Sequence, residues 1–219
     1  MPSDPAPDPR PLESRPRVQF WSGMNRLYCT TYHRVDVGAP CRLPRTGPAI
    51  LVCNHMSGLD PLLLQAKSPR IIVWMMAKEF YELPSIHWFV KMIDAIPVAR
   101  NGRDSSATRA ALRALDRGCV LGVFPEGKIE KDRNLMPFQS GVSLLAIKTG
   151  VPVFPAYMDG TQRGKDMMTA FKQAGHVKMR FGHEIDVPRD DTSIQTLDRA
   201  TAVIQQSVQA LKDATERMK

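Results

Sequence analysis

Four cysteines in 219 residues, none of them in a C-x-x-C pair or a tight cluster, leave neither a zinc site nor a disulfide framework to organise the fold. Cys29, Cys41, Cys53 and Cys119 read as reduced thiols of a protein facing the cytosol. Long apolar runs are missing too. The longest, such as 71–77, are strand-sized, far short of the ~20 residues a spanning helix needs. The N-terminus has no basic and apolar leader pattern. No RNA- or DNA-binding signature is present, so nucleic acid is not an expected partner. Ser57 and Ser140 do not stand in a G-x-S-x-G, which removes a serine hydrolase. No internal repeat and no domain boundary break the chain.

What is present is positive charge. The formal net charge is +8, and its position matters more than its size. Through residue 17 the arginines at 10, 15 and 17 are balanced by Asp4, Asp8 and Glu13, so the excess sits on the remainder. A basic folded domain suits an anionic lipid surface or a phosphorylated ligand.

Prolines at positions 2, 5, 7, 9, 11 and 16 mark 1–16 as a disordered tail ahead of a domain spanning 17–219. The domain opens on an amphipathic pattern. Phe20, Trp21, Met24, Leu27, Tyr28, Thr31 and Tyr32 share one helical stripe, with Arg17, Asn25 and Arg26 elsewhere. Such a helix packs on its own domain or lies in a membrane interface. Strand-like runs follow at 49–53, 71–77, 95–99, 119–124, 152–157 and 177–181. Helix-like segments at 61–66, 84–93, 105–117 and 139–149 separate many of them, and a long helix begins at Thr192. The alternation predicts one α/β domain around a mixed, largely parallel sheet flanked by helices.

The segment Asn54-His55-Met56-Ser57-Gly58-Leu59-Asp60-Pro61 follows the first buried run. The crevice beyond a strand end is where α/β folds present reactive groups. On a continuous helix a five-residue offset turns ~140°, so His55 and Asp60 would face apart. Gly58 permits a tight turn, and Asp60-Pro61 has the form of an N-cap with proline at the first helical position. That turn returns the carboxylate to the imidazole. A neutral imidazole with pKa near ~6.5 can take a proton from an attacking hydroxyl. A carboxylate on its other nitrogen fixes the tautomer. Taken alone, the same residues describe a helix cap and a loop histidine.

Three further blocks accompany the pair: Ala95-Ile96-Pro97-Val98-Ala99-Arg100, Phe124-Pro125-Glu126-Gly127, and Val151-Pro152-Val153-Phe154-Pro155. Residues 122–128 also match the start of a P-loop. Ile129 stands where the Mg²⁺-binding hydroxyl belongs, and Pro125 has no N–H to offer a phosphate, so that match is fortuitous. In this order, N-H-x-x-x-x-D, a strand ending in arginine, F-P-E-G and V-P-x-x-P, the chain resembles the lysophosphatidic acid acyltransferase (glycerolipid acyltransferase) family over roughly 49–160.

The resemblance implies a glycerolipid-acyltransferase-like fold and transfer of a fatty acyl group from acyl-CoA or acyl carrier protein to 1-acylglycerol 3-phosphate, giving phosphatidic acid. His55 is then the general base and Asp60 its orienting partner. Arg100 binds the acceptor phosphate, Glu126 and Gly127 shape the acceptor site, and 151–155 support the acyl region. No metal, cofactor or covalent acyl-enzyme is implied. The family continues F-P-E-G with threonine and arginine, where this chain has Lys128 and Ile129. Lys128, Lys131 or Arg133 can supply the charge, without the bidentate fork of an arginine. Acceptors such as lyso-ornithine lipid or another lysophospholipid stay open, as does a non-catalytic lipid binder. A chain without a spanning run meets its lipid from outside, so the expected location is cytoplasmic and peripheral to the membrane.

Overall fold

Five consecutive apolar residues, Ala49–Cys53, have no side to show to water. In the computed structural model, which describes residues 11–99, 104–132 and 134–217, they form a strand buried along its whole length. Chain order is a short 3-10 turn (Leu12–Ser14), α1 (Pro16–Thr31), β1 (Arg34–Ala39), β2 (Ala49–Cys53), α2 (Asp60–Lys67), β3 (Ile72–Ala77), α3 (Lys78–Tyr81) and α4 (Pro84–Met92). There follow β4 (Ile96–Val98), α5 (Ser105–Asp116), β5 (Val120–Val123), α6 (Gly141–Thr149), β6 (Val153–Asp159), α7 (Met167–Phe171), β7 (His176–Phe181) and α8 (Ile194–Glu216).

The seven strands make one sheet in the order β1-β7-β6-β2-β5-β3-β4. Neighbours run parallel except β6 and β7, which pair antiparallel. Parallel strands covered on both faces carry near-continuous apolar sequence, as β2 and β5 do. Alternation then sorts the side chains. Ile50, Val52, Leu121 and Val153 pack with Ala111, Leu145, Ile204 and Val208 of α5, α6 and α8. Leu51, Cys53, Phe154 and Met158 pack with Cys29 of α1 and Leu63 and Leu64 of α2. The α/β fold expected from the sequence is therefore observed. The chain leaves β2 through α2 on one face and returns to both flanks of β2 through α5 and α6 on the other. The crevice beyond the C-terminal ends of β2 and β5 lies at that crossing.

Two expectations change at the N-terminus. Residues 11–16 do not belong to a tail: Leu12 is buried, and the Arg15 guanidinium forms paired hydrogen bonds with Asp94 at 2.8 and 3.1 Å. Pro16 starts α1 instead of blocking it, since its missing N–H is needless in a first turn. The apolar stripe of α1 is also divided. The helix buries Val18, Asn25 and Cys29, and Asn25 Nδ2 donates to the Leu62 carbonyl at 2.9 Å. Trp21 packs on Phe89 and Tyr28 on Phe171, which leaves Phe20, Met24 and Leu27 exposed. A polar residue on the inner face defeats a reading based on apolar spacing. Strand β1 was not anticipated: it is a short, mostly exposed edge strand whose alternation, Val35, Val37 and Ala39, is too brief to stand out.

Candidate active site

The loop between β2 and α2 brings His55 back onto Asp60. His55 Nδ1 lies 3.0 Å from Asp60 Oδ2. The same oxygen accepts from the backbone N–H groups of Met56 at 2.6 Å and Ser57 at 2.8 Å. Asp60 is fully buried, whereas the His55 side chain keeps 18% exposure. The carboxylate thus turns backwards over the loop. The sequence suggested an N-cap at Asp60, but Leu59 is the cap and Asp60 the first helical residue, with no side-chain bond into its own helix. With Nδ1 directed at a carboxylate, Nε2 is the nitrogen left to accept a proton.

Gly58 makes the turn possible through close approach. Its N–H donates to the Lys165 carbonyl at 2.9 Å, and a Cβ there would lie 2.3 Å from the Met167 backbone nitrogen. Asn54 anchors the start of the loop by exchanging two hydrogen bonds with the Met158 backbone at 2.9 and 3.0 Å. An aromatic ladder holds the imidazole plane. His55 stacks on Phe124 at 4.1 Å between centroids, and Phe124 on Trp74 at 5.0 Å. Trp74 fits because position 122 is glycine; a Cβ there would meet its ring at 2.4 Å.

Glu126 sits beneath the histidine, itself buried. One oxygen accepts from the His55 N–H at 2.9 Å and the other from the Met136 N–H at 3.1 Å. Burial pushes its carboxyl up, opposed by those two N–H groups. Glu126 thereby braces the base's backbone, and it also lines the crevice beside the histidine loop. Gly127 adopts φ +70°, the left-handed region that favours glycine. Lys128, the next residue, is exposed. Residues 151–155 lie lower, where Val153 and Pro155 pair with Ile50 and Val52 of β2. Arg100 and Arg133 lie outside the described residues. The nearest described residue to Arg100 is Ala99, whose N–H donates to Asp104 at 2.8 Å. Cys53 adjoins the site, but burial pushes its thiol well up and the charges of Asp60 and Glu126 add to that, so it stays protonated.

Of the blocks recognised in the sequence, the first and third meet at the crevice, through His55, Asp60, Phe124 and Glu126; Ile96–Val98 forms the edge strand β4, and 151–155 lead into β6 beside β2. Phe124 stood inside a quoted block without a role, because stacking on a histidine 69 positions away leaves no local mark. Glu130 and Arg163, taken up below, had no signal.

The model of the family described as acyltransferase matches residues 34–159, more than half of the chain and the whole run from β1 to β6. The chain belongs to the acyltransferase family. Among curated members it is 32% identical over 167 residues to a chloroplastic 1-acyl-sn-glycerol-3-phosphate acyltransferase of Brassica napus, covering 72% of this chain and 47% of the relative. A 1-acyl-sn-glycerol-3-phosphate acyltransferase of Bacillus subtilis is 25% identical over 177 residues, covering 80% and 85%. This acyltransferase chain spans under half the length of the Brassica napus relative. Its fold is that of the crystal structure of the 1-acyl-sn-glycerophosphate acyltransferase PlsC from Thermotoga maritima, with a TM-score of 0.69 at 22% identity over 90% of this chain and 78% of that one.

Proposed function

We propose that this chain transfers a fatty acyl group from acyl-CoA or acyl carrier protein to the hydroxyl of 1-acylglycerol 3-phosphate, giving phosphatidic acid. The observation that carries this reading is the buried Asp60 carboxylate at 3.0 Å from Nδ1 of a partly exposed His55. A lipid binder without chemistry has no use for a carboxylate-oriented base. As the acceptor oxygen attacks the thioester carbonyl carbon, His55 Nε2 takes the hydroxyl proton. Asp60 stabilises the imidazolium that forms. The tetrahedral intermediate then collapses, the carbon–sulfur bond breaks, and the departing sulfur receives the proton from Nε2. The names of the relatives support 1-acylglycerol 3-phosphate as acceptor, and Arg100 with Lys128 are the cations proposed to meet its phosphate.

Delivery from a membrane is part of the proposal. No helix of the described residues is long and apolar enough to cross a bilayer. The outer face of α1 instead exposes Phe20 at 73%, Met24 at 51% and Leu27 at 56%, with the exposed Arg17 and Arg26 on the same helix. Trp88 and Met168 extend the apolar surface on α4 and α7, the helices that touch α1 or its C-terminal aromatics. Aromatic and basic residues together suit an anionic interface.

The test is release of free CoA from acyl-CoA in the presence of lysophosphatidic acid, with His55→Ala as the inactive control. Turnover undiminished in a folded His55→Ala protein ends the catalytic reading. Running the assay also with a phosphate-free lysolipid decides the acceptor. Arg100→Ala should raise KM for the phosphate-bearing acceptor while hardly changing the donor KM, and Lys128→Ala should do so to a smaller degree. A wild-type preference for the phosphate-free lipid, with Arg100→Ala indifferent, would replace the acceptor and keep the chemistry.

A further inference from the structure

The loop that carries His55 is gripped from two sides, and one ion pair joins the two grips. On one side, the segment after β5 holds both backbone groups of the histidine: Glu126 accepts from the His55 N–H at 2.9 Å, and the Glu130 N–H donates to the His55 carbonyl at 2.7 Å. On the other, the segment between β6 and α7 makes two rungs. The Gly164 N–H donates to the Met56 carbonyl at 2.8 Å, and the Gly58 N–H donates to the Lys165 carbonyl at 2.9 Å. Residue 163 stands immediately before the first of those rungs. The Arg163 guanidinium pairs with the Glu130 carboxylate and reaches Asp159 at 3.3 Å.

All three charges are shielded. The side chains of Arg163, Glu130 and Asp159 retain 20%, 6% and 20% exposure. The second oxygen of Glu130 is buried and makes no hydrogen bond among the described residues. With Asn54, Glu126, Tyr157 and Lys212, Arg163 and Glu130 line a narrow crevice behind the histidine loop. A guanidinium suits this position because its planar fork can serve two carboxylates at once. The pair fastens the β5 segment to the β6 segment, with the histidine peptide between them.

We infer that Arg163 is a positioning residue for His55. Through Glu130 it holds the histidine carbonyl, and through the adjoining Gly164 it holds the next carbonyl along, so the loop keeps the imidazole in line with Asp60. This rests on the reading of His55 as the base. Arg163 donates to neither substrate, and its effect lies on turnover rather than on binding.

The experiment measures kcat, both KM values and the thermal midpoint with acyl-CoA and lysophosphatidic acid, for Arg163→Met, Arg163→Lys and the double variant Glu130→Gln/Arg163→Met, with His55→Ala in parallel. Misplacement of a reacting group by about 1 Å costs on the order of 100-fold, so Arg163→Met should lose roughly 10–100-fold in kcat with both KM values little changed. Arg163→Lys should recover part of that loss, because it keeps the charge and forfeits the fork. The double variant removes the most buried carboxylate together with its cation and leaves only the part-exposed Asp159 of the three charges, so it keeps the test valid if Arg163→Met does not fold. It too should be slow, since neutral side chains no longer tie the two segments. Wild-type kcat in a folded double variant overturns the proposal. So does a rise in acceptor KM at unchanged kcat, which would make Arg163 a substrate contact. A slow Arg163→Met beside an active His55→Ala would sink the base itself, whereas an inactive His55→Ala beside a fast Arg163→Met removes only the clamp.

Discussion

The loop carrying His55 and the outer face of α1 differ in how much of the protein holds them. In the loop, the backbone of residues 55–58 is engaged by Glu126, Glu130, Asp60, Gly164 and Lys165, and the imidazole is stacked on one side. On α1, Phe20, Met24 and Leu27 turn half or more of their surface to solvent. Proton transfer depends on distance and direction within fractions of an ångström, so each support of the loop multiplies the rate. Contact with a fluid bilayer depends on apolar area and charge, which add up without fixed geometry. Substitutions in the first region should therefore change turnover steeply, and those in the second should change partition gradually.

The largest break is at the base. His55→Ala should remove roughly 10²–10⁴ of the rate, read as single-turnover acyl transfer, with the melting midpoint close to wild type because the ring is at a strand end. Asp60→Asn should also be slow. It should melt earlier as well, because Asp60 Oδ2 holds the Met56 and Ser57 N–H groups. Gly58→Ala comes next. Its methyl would press on the Met167 backbone at 2.3 Å, and overpacking of this kind costs about 1–3 kcal/mol. Denaturant unfolding should show that loss together with lower kcat, and an unaffected enzyme would mean the loop is less confined than its contacts imply.

In the second region, replacing Phe20, Met24 and Leu27 together by serine should weaken binding to anionic vesicles about tenfold, equivalent to ~1.4 kcal/mol. Reversing Arg17 and Arg26 should weaken it at low salt and make little difference at 1 M salt, where the Debye length is ~3 Å. Unchanged sedimentation with vesicles for both variants would remove α1 from the membrane account.

The smallest effect lies outside both regions, at the cap of α5. Asp104 accepts from the N–H groups of Ser106, Ala107 and Ala99, and those bonds, the Ala99 one foremost, hold its carboxyl well below the usual carboxylate range. A pKa lowered by folding supplies stability that is present above the unfolded value near ~3.9 and fades as pH falls towards the folded one. Asp104→Ala should cost about 0.5–2 kcal/mol at neutral pH. The gap between variant and wild-type midpoints should narrow in acid; a gap that widens would contradict the assignment.

The legible parts of the sequence were those written in adjacent residues. Ala49–Cys53 announces a strand buried on both faces, and Gly58 between His55 and Asp60 announces a tight return. What failed depended on partners far along the chain. The inner face of α1 includes Asn25, whose acceptor is the Leu62 carbonyl, so apolar spacing did not show that the stripe is divided, with Trp21 and Tyr28 packed and Phe20, Met24 and Leu27 exposed. Asp60 resembles a cap, yet its carboxylate is claimed by the N–H groups before it. That each Glu126 oxygen accepts a backbone N–H, from His55 or from Met136, likewise has no local mark. Arg163 meets Glu130 only because β5 and β6 flank β2 in the sheet.

The stack of His55 on Phe124, with planes 17° apart, bears on chirality. The lone pair of Nε2 lies in the plane of the ring. With that plane held against a phenyl face, the acceptor hydroxyl has one line of approach, along the imidazole edge. In the proposed reaction, a glycerol phosphate held by its headgroup with its secondary hydroxyl on that line is fixed at two points. With a third contact on the acyl arm, one configuration at carbon 2 fits and its mirror image presents a hydrogen there. The flat, apolar partner of the base would then supply one of the three constraints from which handedness in the product arises.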